Sequence, residues 1–88
     1  MASATPELVP TFRLQWEETR NCFVLLYPEG EVELSGSAGE IMKRIDGSTD
    51  VDAIVADLER AFETQGLRGD IEKFLEAAHD NGWIRYQD

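Results

Sequence analysis

Three groups of side chains in this 88-residue sequence have types that chemistry uses. His79 could serve as a general base and Cys22 as a nucleophile, provided each has a partner within hydrogen-bond reach. No Ser, Cys or paired carboxylate has the spacing to serve His79, which falls off the apolar stripe of its helix and reads as solvated. Cys22 precedes an apolar run and reads as a small, half-buried residue. Asp50, Asp52 and Asp57 are candidates for a cation, but their spacing is not that of an EF-hand, and a charged outer helix face accounts for them. One Cys and one His leave no intrachain disulfide, no thiolate zinc site and no cysteine triplet for an iron–sulfur cluster. The sequence therefore predicts no catalytic residue, no metal ligand and no cofactor, so the chain is not expected to be an enzyme.

Glu31 and Glu33 form a fourth group, and they matter through the strand that carries them. Phe23-Val24-Leu25-Leu26-Tyr27 is apolar at every position, as in a central strand covered on both faces. In Tyr27-Pro28-Glu29-Gly30, proline presets φ for a type I turn, and glycine is expected at φ > 0 in a bulged hairpin. Glu31-Val32-Glu33-Leu34-Ser35 then alternates, with Val32 and Leu34 inward and Glu31, Glu33 and Ser35 outward. That is the pattern of an edge strand with one wet face, open to pairing with another chain. The two glutamates could steer a basic peptide or a basic patch of an enzyme, or they could be solvated edge charges that oppose aggregation.

The net charge is −10, from 18 acidic and 8 basic residues. Phosphate contacts demand the opposite sign, so neither nucleic acid nor an anionic membrane is an expected partner. No run is apolar and long enough to span a membrane, no signal-peptide core is present, and a cytoplasmic location is the expectation. Residues 1–11 hold Pro6 and Pro10 and little apolar periodicity, so they read as a flexible tail before a single domain over 12–88. The open edge and the proline-bearing tail are features through which a homodimer could form.

Phe12-Arg13-Leu14-Gln15-Trp16 alternates as a half-buried strand and completes an antiparallel meander. Helix one starts near Ser37, where Ser37 and Glu40 have capping-box spacing, and ends at Asp46-Gly47. Ser48 or Thr49 caps helix two, whose Val51, Ile54, Val55, Leu58 and Phe62 form one stripe. After the loop Gln65–Gly69, helix three runs from about Asp70 to Asn81 with Ile71, Phe74, Leu75 and Ala78 on its apolar face. Trp83–Tyr86 is a short extended segment that seals the core. Three antiparallel strands followed by three helices make an α+β domain, winged-helix-like in its helical part. A winged-helix DNA-binding domain is the alternative function, opposed by charge: helix three has Lys73 among Asp70, Glu72, Glu76 and Asp80.

The run Leu26-Tyr27-Pro28-Glu29-Gly30, then Leu34-Ser35-Gly36-Ser37-Ala38-Gly39-Glu40-Ile41, resembles the pyrroloquinoline quinone (PQQ) biosynthesis protein D (PqqD) family. Asp46-Gly47, Asp70, Phe74-Leu75 and Gly82-Trp83-Ile84 extend the resemblance over about Phe12 to Tyr86. Gly36 departs from the polar residue expected there, which bears only on local capping. The resemblance implies a non-catalytic peptide chaperone, a recognition element for ribosomal precursor peptides. Such a protein holds the precursor and presents it to a radical S-adenosylmethionine (SAM) enzyme, which cross-links a Glu and a Tyr of that peptide. It further implies that the peptide adds a strand to Glu31, Val32, Glu33, Leu34 and Ser35 and lies against Ile71, Phe74, Leu75 and Ala78. By spacing alone those four helical residues are core.

Overall fold

A computed structural model of the chain describes residues 4–34 and 36–87. Ser35, one of the residues expected at the edge, lies outside them. Strands β2 (Arg13–Glu17), β3 (Cys22–Tyr27) and β4 (Gly30–Leu34) form an antiparallel sheet in the order β2-β3-β4. Val24 and Leu25 point to opposite faces of β3, and both are 0% exposed, so the central strand is covered on both sides. Leu14, Leu25 and Val32 make one cross-strand row on the inner face, and Trp16, Phe23 and Leu34 make the next. On β4, Glu31 and Glu33 are exposed while Leu34 is buried, as the alternation predicts.

The hairpin differs from the sequence expectation. Tyr27 pairs directly with Gly30, so the loop is the two residues Pro28-Glu29 and there is no bulge. Neither loop residue has positive φ, and Gly30 sits at φ 159°, far from left-handed helical values. The ring of Pro28 fixes a negative φ at the first loop position, which the primed turns of most two-residue hairpins do not allow.

Helix α1 (Ser37–Lys43) lies just beyond β4. Its N-cap is Gly36 at φ 59°, with no side-chain cap, so the Ser37–Glu40 capping box does not form. Close packing sets the helix start instead. A Cβ on buried Gly39 would stand 3.0 Å from Phe23 Cδ2 and 3.4 Å from the Leu34 carbonyl oxygen. Glu40 turns to Arg44, which donates to its carboxylate at 2.9 Å and bonds Asp57 of the next helix.

Helix α2 (Val51–Ala61) is capped by Asp50, which accepts from the Ala53 N–H at 2.8 Å, rather than by Ser48 or Thr49. The Ser48 and Thr49 N–H groups are taken by Asp46, each at 2.9 Å, which closes the loop between the helices. Helix α3 (Arg68–Asp80) begins two residues earlier than expected. There Arg68 joins Asp52 at 2.6 Å and Glu72 at 3.2 Å, tying its first turn to α2.

Strand β5 (Ile84–Gln87) pairs antiparallel with β1 (Thr5–Leu8), a second sheet that the sequence reading did not foresee. Residues 5–8 thus leave the expected tail and enter the fold. Pro6 is buried, the Val9 N–H donates to the Trp83 carbonyl at 2.9 Å, and the Val51 N–H donates to the Ala4 carbonyl at 2.9 Å. Thr-Pro-Glu-Leu shows no local signal because its partner lies almost eighty residues away. The result is an α+β fold whose core joins Leu25 and Leu34 to Ile41, Ile54, Leu58, Ile71, Leu75 and Ile84.

Candidate functional site

Strand β4 pairs with β3 on one side only, so its other side is a sheet edge. The register says which groups that edge offers. Residues flanking a two-residue loop exchange their backbone hydrogen bonds, and the bonded positions then alternate. Gly30, Val32 and Leu34 therefore bond to β3, while Glu31 and Glu33 aim their N–H and C=O groups away from the sheet. Their side chains stand on the outer face, where Arg20 bonds Glu31 at 3.0 Å and approaches Glu33 at 3.8 Å.

Beyond β4 the chain leads into α1, whose first residue Ser37 lines a cavity of about 200 Å³ formed where α1, the end of α2 and the start of α3 meet. Ala38 comes from α1, Phe62 from the α2 C-cap, Leu67 from the following loop, and Ile71 and Phe74 from α3. Asp70 is the one charged side chain in the lining. Phe62, at the end of the α2 stripe, is 47% exposed.

The residues singled out in the sequence separate in space. Half-buried Phe74 and the core residue Ile71, 3% exposed, line the cavity; Leu75 and Ala78, at 2% and 0% exposure, do not line it. Val32 is half-buried and Leu34 buried beneath the edge. Ala38, Phe62 and Leu67 also line the cavity, and none of them is among the residues that the sequence points to. Phe62 sits at the last step of a helical stripe, and periodicity reports its face without reporting what covers it.

The other candidates have structural surroundings. Asp50 caps α2, Asp52 holds Arg68, and Asp57 bonds Arg44 and Arg60. Among the described residues no cluster of three or more His, Cys, Asp or Glu could hold a metal ion. Partial burial, then the Glu33 carboxylate, push the Cys22 thiol up, away from the reactive thiolate. His79 is exposed and lies against Tyr86, ring centres 5.5 Å apart. No helix among the described residues is long and apolar enough to cross a membrane.

Comparison with known proteins places this geometry in a family. The family model described as coenzyme PQQ synthesis protein D (PqqD) matches residues 22–84, from β3 through the start of β5. The chain belongs to the PqqD family. A relative from Pseudomonas aeruginosa, strain PAO1, named PqqA binding protein, is 52% identical over 85 residues, covering 96% of this chain and 92% of its own. One of the same name from Methylococcus capsulatus is 44% identical over 79 residues, covering 90% and 85%. The solution structure of the PqqD truncation of Methylobacterium extorquens PqqCD superposes with a TM-score of 0.77 at 27% identity, covering 96% of this chain and 95% of that one. That protein is described as a functional, stand-alone recognition element for ribosomally synthesised, post-translationally modified peptides.

Proposed function

We propose that this chain is a non-catalytic peptide chaperone of PQQ biosynthesis. It binds the precursor peptide along the free edge of β4 and presents it to a radical SAM enzyme. The observation that carries the reading is the unpaired edge of β4, joined in sequence to a helix, α1, that lines an apolar cavity with α3. The names of the Pseudomonas and Methylococcus relatives and the description of the Methylobacterium recognition element support it.

Energetics assign the two parts different tasks. Each main-chain hydrogen bond contributes about 0.5–1.5 kcal/mol net. Ordering each peptide residue costs about 1–2 kcal/mol of backbone entropy. Strand pairing through Glu31 and Glu33 therefore sets register with little net affinity. One or two apolar peptide side chains, at about 1.5–3 kcal/mol each when buried, supply most of the binding free energy. Of the residues first assigned to the peptide, Ile71 and Phe74 would touch such an anchor. Leu75 and Ala78 would support them from within.

The DNA-binding alternative gains nothing from the exposed side of α3, where Glu72, Glu76 and Asp80 outnumber Lys73. An amide NMR titration with the precursor peptide tests the proposal. Shifts should concentrate at residues 31–34, 38, 62, 67, 71 and 74. Saturation with shifts confined elsewhere, or no binding at millimolar peptide, rejects it. The chaperone role is tested by running the cross-linking reaction with enzyme and peptide, with and without the chain. Equal cross-linking in both would reject presentation, and cross-linking by chain and peptide alone would show that the chain is an enzyme.

A further inference from the structure

The outer face of the β2-β3-β4 sheet has an organisation of its own. Val24 is 0% exposed yet stands outside the apolar core. Its cross-strand partners are Gln15 on β2 and Glu33 on β4, and alternation puts all three on the face opposite Leu25. Arg20 leaves the β2–β3 loop and reaches Glu31, the partner of Leu26, so its side chain runs along this face past Val24. The hydrogen bond to Glu31 and the Glu31 charge, then the charges of Glu17 and Glu33, hold the Arg20 guanidinium above its usual value. Arg13 is on the same face of β2, but two strand spacings, roughly 10 Å, from the β4 carboxylates. Arg20 is therefore the cation within reach of β4, and it is committed unevenly. Glu31 is bonded at 3.0 Å, whereas Glu33 stands 3.8 Å away with its side chain 57% exposed.

The imbalance matters because Glu31 and Glu33 are the residues whose N–H and C=O groups point away from the sheet. A strand added to β4 puts every second side chain on this same face, with those beside Glu31 and Glu33 at roughly 5 Å between Cβ atoms. Opposite charges so placed stabilise the pairing, and like charges oppose it. A second copy of β4, in the register that pairs Glu31 with Glu33, would set carboxylate against carboxylate. A strand with a cation in register instead meets the carboxylate that Arg20 leaves unneutralised.

We propose that Glu33 is a specificity-determining residue of the peptide site. It selects a precursor whose added strand carries Lys or Arg at the outer-face position beside it, and it discriminates against Asp or Glu there. Arg20, by occupying Glu31, leaves the neighbouring outer-face position indifferent to charge. The inference rests on the strand-addition reading proposed above and names the chemistry of the peptide that the edge takes. The discrimination is modest, as befits an exposed pair, but it fixes register, because a slip of two residues moves the cation from Glu33 to Glu31.

The test uses the full chain, the precursor peptide, and variants of that peptide in which each residue of the bound segment is changed in turn to Lys and to Glu. Affinities are measured by calorimetry at about 0.05 M salt. The net charge of −10 favours Lys over Glu at every position, so the quantity read is the excess preference at one position over the rest. The wild type should show one such position, with an excess of about fivefold. Glu33→Gln should abolish the excess, while Glu18→Gln, an equal change of net charge on the β2–β3 loop, should leave it within twofold. Arg20→Gln should add a second Lys-preferring position two residues along the peptide, beside Glu31. Amide spectra establish that each variant keeps the native fold. At about 0.5 M salt the excess should largely vanish. Equal preference at all positions in the wild type, or an excess that survives Glu33→Gln or high salt, would overturn the proposal. So would the wild-type pattern in folded Arg20→Gln. Any of these results with the precursor itself still bound leaves peptide recognition intact. Failure of the wild-type chain to bind the precursor overturns both readings.

Discussion

Phe62 ends the apolar stripe of α2 at its C-cap and stands 47% exposed, while Leu75 lies in the middle of the α3 stripe and is 2% exposed. That difference decides which can be altered without unfolding the domain. Phe62→Ser removes a cavity wall from a half-solvated position. It should change stability by about 0.5 kcal/mol or less, while peptide affinity falls roughly tenfold, equivalent to about 1.4 kcal/mol. A thermal melt beside a calorimetric titration checks both, and unchanged affinity would remove Phe62 from the site. Leu75→Ala, in contrast, would cost about 2–5 kcal/mol through the cavity it leaves. Gly39 presents the opposite constraint. Gly39→Ala puts a methyl group 3.0 Å from Phe23 Cδ2, so α1 or the ring must shift. The expected loss is about 1–3 kcal/mol, measured by denaturant unfolding. The sequence offered no sign of this contact, since glycine in a helix start reads equally well as loose capping.

Elements were legible where one local period governs them. The alternation of Glu31–Leu34 and the unbroken apolar run of Phe23–Tyr27 correctly gave an edge and a centre, because each depends only on which faces are covered. The three helices follow from stripes at three- and four-residue steps. Their starts were less legible: Ser37, Ser48 and Thr49 all have cap chemistry, but the backbone bonds went to Asp46 and Asp50, and packing at Gly39 fixed α1. Consecutive N–H groups of β4 point opposite ways, so proline scanning separates edge function from folding. Val32→Pro deletes a bond to β3 and should unfold or loosen the sheet. Glu33→Pro deletes an outward donor, so the fold should persist by circular dichroism. Peptide affinity should fall about tenfold, since one bond of roughly 0.5–1.5 kcal/mol is lost and the next is misaligned. A folded Glu33→Pro chain that binds peptide as the wild type does would argue against strand addition.

At the scale of the whole molecule, the two ends of the chain meet in the β1–β5 ladder, and this pairing was invisible to a local reading. No residue of β1 lines the cavity beside β4. Deleting residues 2–10 should therefore lower stability without altering peptide contacts. Exposure of Ile84 and loss of the buried Pro6 point to about 2–4 kcal/mol. For a domain of this size that corresponds to a fall in Tm of roughly 10–20 °C. The ladder also carries a pH dependence. Glu7 on β1 accepts from Gln87 at 2.9 Å and from Arg85, and these bonds hold its carboxyl below the ordinary value of 4.5. A carboxyl with a lowered value in the fold binds protons more readily when unfolded. Its contribution to stability is thus complete above 4.5 and disappears as pH falls through the lower folded value. Glu7→Gln removes this titration and weakens the pairing with Arg85. Thermal melts of the two proteins should show the wild type more stable at pH 7, with the gap constant down to about pH 5 and closing below 4. A gap that stays constant to pH 3 would mean that the charge of Glu7 contributes nothing to folding. In that case β1 would be held by Pro6, the backbone ladder and the Val9–Trp83 bond alone.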